Sequence, residues 1–152
     1  MTWYVKNACG KTELVIRFRM SDCIFCKIAR GEIPAHKVYE DEHALAFFDI
    51  TPTAAYHTLV ISKKHYTNML DIPADEAAHI MRAAKRVVDL YKNKLGMTDV
   101  NIINNSGTAA NQEVPHIHFH IIPRAAGDWK DSPWQRHPEL REKFDEMLAR
   151  VK

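Results

Sequence analysis

Between Ala74 and Leu95, apolar side chains recur three and four residues apart at Ala77, Ile80, Met81, Ala84, Val87, Val88, Tyr91 and Leu95. Such spacing draws one stripe along a helix of about 3.6 residues per turn. Asp75 and Glu76 stand in its first turn, Lys92 and Lys94 in its last, and Gly96 follows, all as the helix dipole and a left-handed C-cap favour. The other apolar runs are short. Lys37–Glu40, Ala44–Asp49, His57–Ser62, Val100–Asn105 and Ile117–Pro123 predict strands, separated early on by the turn signals Asp41-Glu42 and Thr51-Pro52-Thr53. Cys23–Arg30 suits a short helix ended by Gly31 and Ile33-Pro34. Pro138 opens a last helix with the stripe Leu140, Phe144, Met147, Leu148 and Val151. Five short strands with one long helix between the third and fourth predict an antiparallel α+β fold, because most connections are too short for parallel crossovers.

Composition adds boundaries. A chain of 152 residues with 46% hydrophobic content supports one ordinary core. Residues 1–19 differ from the rest, with Lys6, Lys11, Arg17 and Arg19 against Glu13, and Met20-Ser21-Asp22 reads like a natural start. The expectation is an N-terminal extension over 1–19, not necessarily native, and a single domain over 20–152. Within the extension, Trp3–Val5 and Leu14–Phe18 suit a pair of strands around Asn7–Gly10. Lys plus Arg total 21 against 19 Asp plus Glu, without a dense basic run, so no nucleic-acid partner is expected. No stretch approaches the roughly 20 apolar residues of a membrane span, and the N-terminus lacks a secretory apolar core. Three cysteines, at 9, 23 and 26, make no disulfide framework. A cytoplasmic protein without membrane partners is expected.

Three of the nine histidines fall within five residues, in Pro115-His116-Ile117-His118-Phe119-His120-Ile121-Ile122-Pro123. Alternation with period two aims His116, His118 and His120 to one side of a strand and Ile117, Phe119 and Ile121 to the other. Imidazoles make a poor packing ladder, since each ring nitrogen needs a partner. They make good phosphoryl chemistry. With a reference pKa of about 6.5, histidine is largely neutral at pH 7. When one nitrogen is held by a hydrogen bond, the other offers its lone pair to phosphorus. A solvated face carrying chance histidines, a His-x-His zinc hydrolase and a His-rich metal tract are the alternatives on these residues alone.

The run His116-Ile-His118-Phe-His120-Ile-Ile resembles the signature of the histidine triad family, three histidines alternating with apolar residues. Gln112 four residues before it, Asp49 in Phe47-Phe48-Asp49-Ile50-Thr51-Pro52, and His57 in His57-Thr-Leu-Val-Ile-Ser-Lys-Lys-His65 match as well. The likeness runs from about Cys23 to Arg124. It implies a five-stranded antiparallel sheet with two helices, a homodimer whose sheets join, and a purine nucleotide substrate. It makes His118 the nucleophile, forming a nucleotidyl-histidine intermediate. His120 contacts the phosphate, and His57 helps hold the tautomer of His118 through a hydrogen-bond network. It puts Asn105 beside the phosphate, Asp49 on the ribose hydroxyls, and Phe25, Ile33 and Leu59 around the base. On its own residues, Asp49 before Ile-Thr-Pro reads first as turn chemistry. Asn111-Gln112-Glu113 departs from the family's usual Gly-Gln-Ser or Thr. Glu113 carries negative charge where a small hydroxyl would donate to phosphate.

Cys23 and Cys26 need two more ligands to close a tetrahedral metal site. By resemblance to bacterial-type members, His65 and His116 supply them, giving a structural zinc that leaves His118 free. A redox pair lacks a preceding parallel βαβ pattern, and two inert thiols are the remaining reading. The expected activity is hydrolysis or transfer on purine nucleoside phosphoramidates or related phosphoanhydrides, without a catalytic metal. Dinucleoside polyphosphate hydrolysis is the variant of the same chemistry, and a nonenzymatic nucleotide-binding interaction protein the alternative of another class.

Overall fold

The computed structural model describes residues 3–6, 12–15, 23–128 and 135–152, the first two segments as backbone only. Strands β1 (Trp3–Lys6) and β2 (Thr12–Val15) form an antiparallel pair with Trp3 opposite Val15 and Lys6 opposite Thr12. The expected pairing partner therefore starts two residues earlier than Leu14. The remainder of residues 1–19, Cys9 included, lies outside the described residues, as do Trp129 and Trp134.

Helix α1 (Ile24–Ala29) is followed by β3 (Lys37–Glu40), β4 (Ala44–Phe48) and β5 (Thr58–Ser62). Then come α2 (Ala74–Leu95), β6 (Asp99–Ile103), β7 (His118–Arg124), a 3₁₀ turn at Pro138–Lys143 and α3 (Phe144–Val151). The five strands β3 to β7 form one sheet in the order β3-β4-β5-β7-β6, every neighbour antiparallel. The α+β reading holds, with α2 spanning its expected residues. One connection does cross over. The long α2 carries the chain past the slot that β7 later fills, so β5 and β6 flank β7 on either side.

Alternation sorts the strand residues onto two faces. Ala44, Ala46 and Phe48 of β4, Val60 of β5, and Phe119 and Ile121 of β7 join the buried cluster under α2 and α3. Their neighbours Leu45, Phe47, Leu59 and Ile61 pack on the opposite face with Phe25, Cys26 and Ile28 of α1. Covered on both faces, β4 and β5 are buried at every position. In α2 the buried stripe is Ile80, Ala83, Ala84, Val87 and Tyr91, whereas Met81 is 43% exposed. Met81 follows Ile80 by a full 100° around the helix, which carries it past the sheet-facing arc. Gly96 closes α2 in the left-handed conformation, φ 67°, where a Cβ would be strained. Because α2 and α3 take the first face, the second is left to α1, and to a cavity.

Candidate active site and metal centre

The cavity, about 360 Å³, lies on the α1 face of the sheet and falls within the roughly 300–1,000 Å³ typical of small-molecule sites. Register builds its floor. His120 pairs with Leu59 and Ile103, and His118 with Ile61. Leu59 in turn opposes Phe47 on β4. Beyond the ends of these strands, Asp49 donates its backbone N–H to the carbonyl of His57 at 2.9 Å, so both continue the same alternation. Tyr56, at φ 63°, turns the chain just before His57. One strand end, after β4, and two strand starts, at β5 and β7, thus deliver Asp49, His57, His118 and His120 to one place.

His118 is buried beneath Phe25, whose ring meets it edge-on at 5.3 Å. Its Nδ1 lies 2.7 Å from the carbonyl oxygen of His116. A carbonyl only accepts, so Nδ1 carries the proton and Nε2 keeps the lone pair. Burial lowers the pKa of His118 against the pull of that carbonyl, Asp49 and Glu113, which favours the neutral ring. The network expected to run from His57 to His118 is arranged differently. His57 Nε2 lies 2.9 Å from His120 Nδ1, and the tautomer of His118 is set by its own backbone neighbour.

A second chain of donors is equally directional. The backbone N–H of Thr53 donates to His57 Nδ1 at 3.1 Å, so the proton of neutral His57 sits on Nε2 and is donated to His120 Nδ1. His120 then holds its proton on Nε2, as a donor beside His118, 5.1 Å away ring to ring. Burial pushes His57 well below its ordinary pKa, and burial together with the neighbouring His57 and His118 pushes His120 to about 3. The two oxygens of Asp49 face different surroundings. Its Oδ1 accepts from the Thr51 N–H at 2.8 Å and hydroxyl at 3.0 Å, which is turn chemistry. Its Oδ2 looks into the site, 3.5 Å from His57 Nε2 and 3.8 Å from His120 Nδ1.

Of the residues expected at the nucleotide, Phe25, Asp49, Leu59, Asn105, Asn111 and Glu113 line the cavity. Ile33 and Gln112 do not. Ile33 packs half-buried against the α1 cluster. The Gln112 amide donates to the carbonyls of Thr67 at 2.6 Å and Val114 at 2.9 Å and accepts the Gly107 N–H at 2.7 Å, bracing the loop instead. Thr53 and Arg136 join the lining without having been singled out. Nothing in a Thr-Pro-Thr turn or a C-terminal arginine marks them before the fold brings them in.

Cys23, Cys26, His65 and His116 gather outside the cavity, their ligand atoms within 4.8 Å of one another. His116 Nδ1 lies 3.4 and 3.5 Å from the two sulfurs, and His65 Nδ1 lies 3.2 Å from Cys26. A tetrahedral zinc with bonds of about 2.3 Å to sulfur and 2.0–2.1 Å to nitrogen separates such atoms by about 3.5 Å. The tautomer also suits a metal. His116 Nε2 donates to the Ser62 carbonyl at 2.8 Å, leaving Nδ1 as the lone pair aimed at the thiols. The donor set therefore fits a closed zinc site.

The HIT domain family model matches residues 30–127. An uncharacterised HIT-like protein of Methanocaldococcus jannaschii is 56% identical over 106 residues, 70% of this chain and 81% of that one. An adenosine 5′-monophosphoramidase of Saccharomyces cerevisiae is 43% identical over 102 residues, 67% of this chain and 62% of that one. Among solved structures, a zinc-bound histidine triad family protein of Mycobacterium smegmatis superposes with a TM-score of 0.74 at 36% identity, covering 86% of this chain and 94% of its own. Sequence, sheet order and the clustered histidines agree, and the chain belongs to the histidine triad (HIT) domain family.

Proposed function

We propose that the protein is a nucleotide hydrolase or transferase that cleaves purine nucleoside phosphoramidates, or related phosphoanhydrides, through a nucleotide covalently held on His118. The observation that carries this reading is the 2.7 Å contact of His118 Nδ1 with the His116 carbonyl, which leaves Nε2 as a lone pair on a buried, neutral ring. The homologous yeast adenosine 5′-monophosphoramidase supports the substrate class.

The base enters the apolar end of the cavity, between Ile24, Phe25, Phe47, Leu59 and Val114. Asp49 Oδ2 accepts from the ribose hydroxyls. His120 Nε2–H donates to a phosphoryl oxygen, and Asn105 and Asn111 flank it. Such fixed donors stabilise charge on the transferring group more effectively than solvent does. His118 Nε2 bonds to phosphorus as the bond to the leaving nitrogen or oxygen breaks, and an amine leaving group takes its proton from water in the open mouth. The phosphorylated ring is cationic, and the His116 carbonyl and Asp49 offset that charge. A water then attacks phosphorus, the Nε2–phosphorus bond breaks, the monophosphate departs and the attacking water releases a proton.

In this reading zinc is bound by Cys23, Cys26, His65 and His116. With all four positions filled by protein it supplies tethering, not Lewis-acid chemistry. The proposal includes a homodimer, since β6 is a sheet edge with Ile102 43% exposed. The test is rapid quenching with adenosine 5′-phosphoramidate followed by peptide mapping. The nucleotide adduct is expected on His118, and His118→Ala is expected to lose turnover while still binding AMP. Wild-type rates in that variant, or an adduct elsewhere, would overturn the mechanism.

A further inference from the structure

A pair of charges spans the mouth of the cavity. Arg136 and Glu113 both line it and meet at 2.6 Å, their side chains 56% and 63% exposed. They stand on opposite rims. Glu113 lies on the loop that also carries Asn105 and Asn111. The next residue after Arg136, His137, donates its backbone N–H to the Pro52 carbonyl at 2.6 Å, and Arg141 reaches the Ile50 carbonyl. The C-terminal segment is thereby anchored on the rim formed by the turn after β4, and Arg136 reaches across from it.

Direction follows from the chemistry. In-line displacement places the departing atom opposite the nucleophile across phosphorus. His118 is on the buried floor, so whatever leaves must project toward the mouth, where Arg136 and Glu113 are. A guanidinium offers a planar fork that holds a carboxylate, phosphate or sulfate in two parallel bonds, and its partner here is one exposed carboxylate of the same enzyme. An anionic group on the substrate can take that carboxylate's place at little cost, because both states are partly solvated.

We infer that Arg136 is a specificity-determining residue, binding an anionic group carried by the leaving group and exchanging Glu113 for it. This rests on the proposed phosphoryl-transfer reading and names the leaving-group class. Glu113 acts in the opposite sense, as an internal competitor that screens Arg136 when no such substrate is present. Two residues at one contact thus have opposite signs, which a purely structural ion pair does not.

The test uses two probes that share the adenosine 5′-phosphoryl group and the P–N bond. In one the amine is alanine, with its free carboxylate; in the other it is alaninamide, uncharged at that position. The readout is the ratio of kcat/KM for the two, carboxylate over carboxamide. The wild type is expected to favour the carboxylate by roughly tenfold, the order of one charge-assisted exchange. Arg136→Ala is expected to bring the ratio to within about twofold of one, Arg136→Lys to retain part of it, and Glu113→Gln to raise it about threefold or more. An unchanged ratio in Arg136→Ala, or a fall in Glu113→Gln, would overturn the inference. Quenched adduct on His118 is measured with both probes. Its absence with both in the wild type rejects the phosphoryl-transfer reading, whereas adduct with an Arg136-independent ratio rejects only the leaving-group assignment.

Discussion

Acidification from pH 7 to pH 5 is expected to destabilise the fold through two of the histidines that line the cavity. His57 and His120 are held neutral by burial, His120 down to about 3, while in the unfolded chain each titrates near 6.5. Below pH 6.5 the unfolded chain therefore binds protons that the fold refuses, and stability, complete above that pH, is lost as the pH falls toward 3. One pH unit within this window costs about 1.4 kcal/mol per histidine, so the step from 7 to 5 costs about 2 kcal/mol for each. His57→Gln removes one of the two and keeps an amide able to bond His120. Urea unfolding of wild type and variant, at several pH values in the same zinc-containing buffer, isolates the difference, because protonation of the Cys23, Cys26, His65 and His116 cluster is common to both. The wild-type slope is expected to exceed that of the variant by close to one proton between pH 6 and pH 5. Equal slopes would show that His57 takes up a proton in the folded protein and refute the neutral donor chain from Thr53 to His120.

Gln112→Ala removes an amide that holds the carbonyls of Thr67 and Val114 and the Gly107 N–H, so about 1–3 kcal/mol of stability is expected to be lost, read as a lowered Tm, with a raised KM from the loosened Asn105–Glu113 loop. Zinc removal with a chelator, or Cys26→Ser, is expected to lower Tm by several degrees while single-turnover formation of the His118 adduct persists; immediate loss of that chemistry in protein still folded by circular dichroism would make the metal catalytic. Ile121→Ala, a fully buried position under α2, is expected to cost about 2–5 kcal/mol in urea unfolding with AMP affinity preserved in the folded fraction.

The elements were legible because periodicity survives in the linear chain. The α2 stripe and the His-x-His-x-His alternation each specify a type of element and a buried side, needing only local sterics. Met81 departs from the buried side because spacing along the helix carries no information on where the sheet lies. Gln112 shows a different limit. Its position in the motif points to the site, but an amide has donors and acceptors to satisfy, and the nearest ones are backbone groups of its own loop. Ile33 likewise packs under α1 instead of reaching the cavity.

Local rules, then, settled the α+β class, the long helix and the cluster of imidazoles, since each depends on neighbours within a few residues. Proton positions on those imidazoles did not follow from them. They come from the His116 carbonyl, the Thr53 N–H and the Ser62 carbonyl, whose places are set by strand register and by the turn before β5. The same holds for the four groups placed to hold a metal, with 90 residues separating Cys26 from His116, and for Arg136 meeting Glu113 across the mouth. Contacts of that length are chosen by how the sheet is ordered and which face α1 covers, and a hydrogen-bond partner exists only once that packing has brought it within reach.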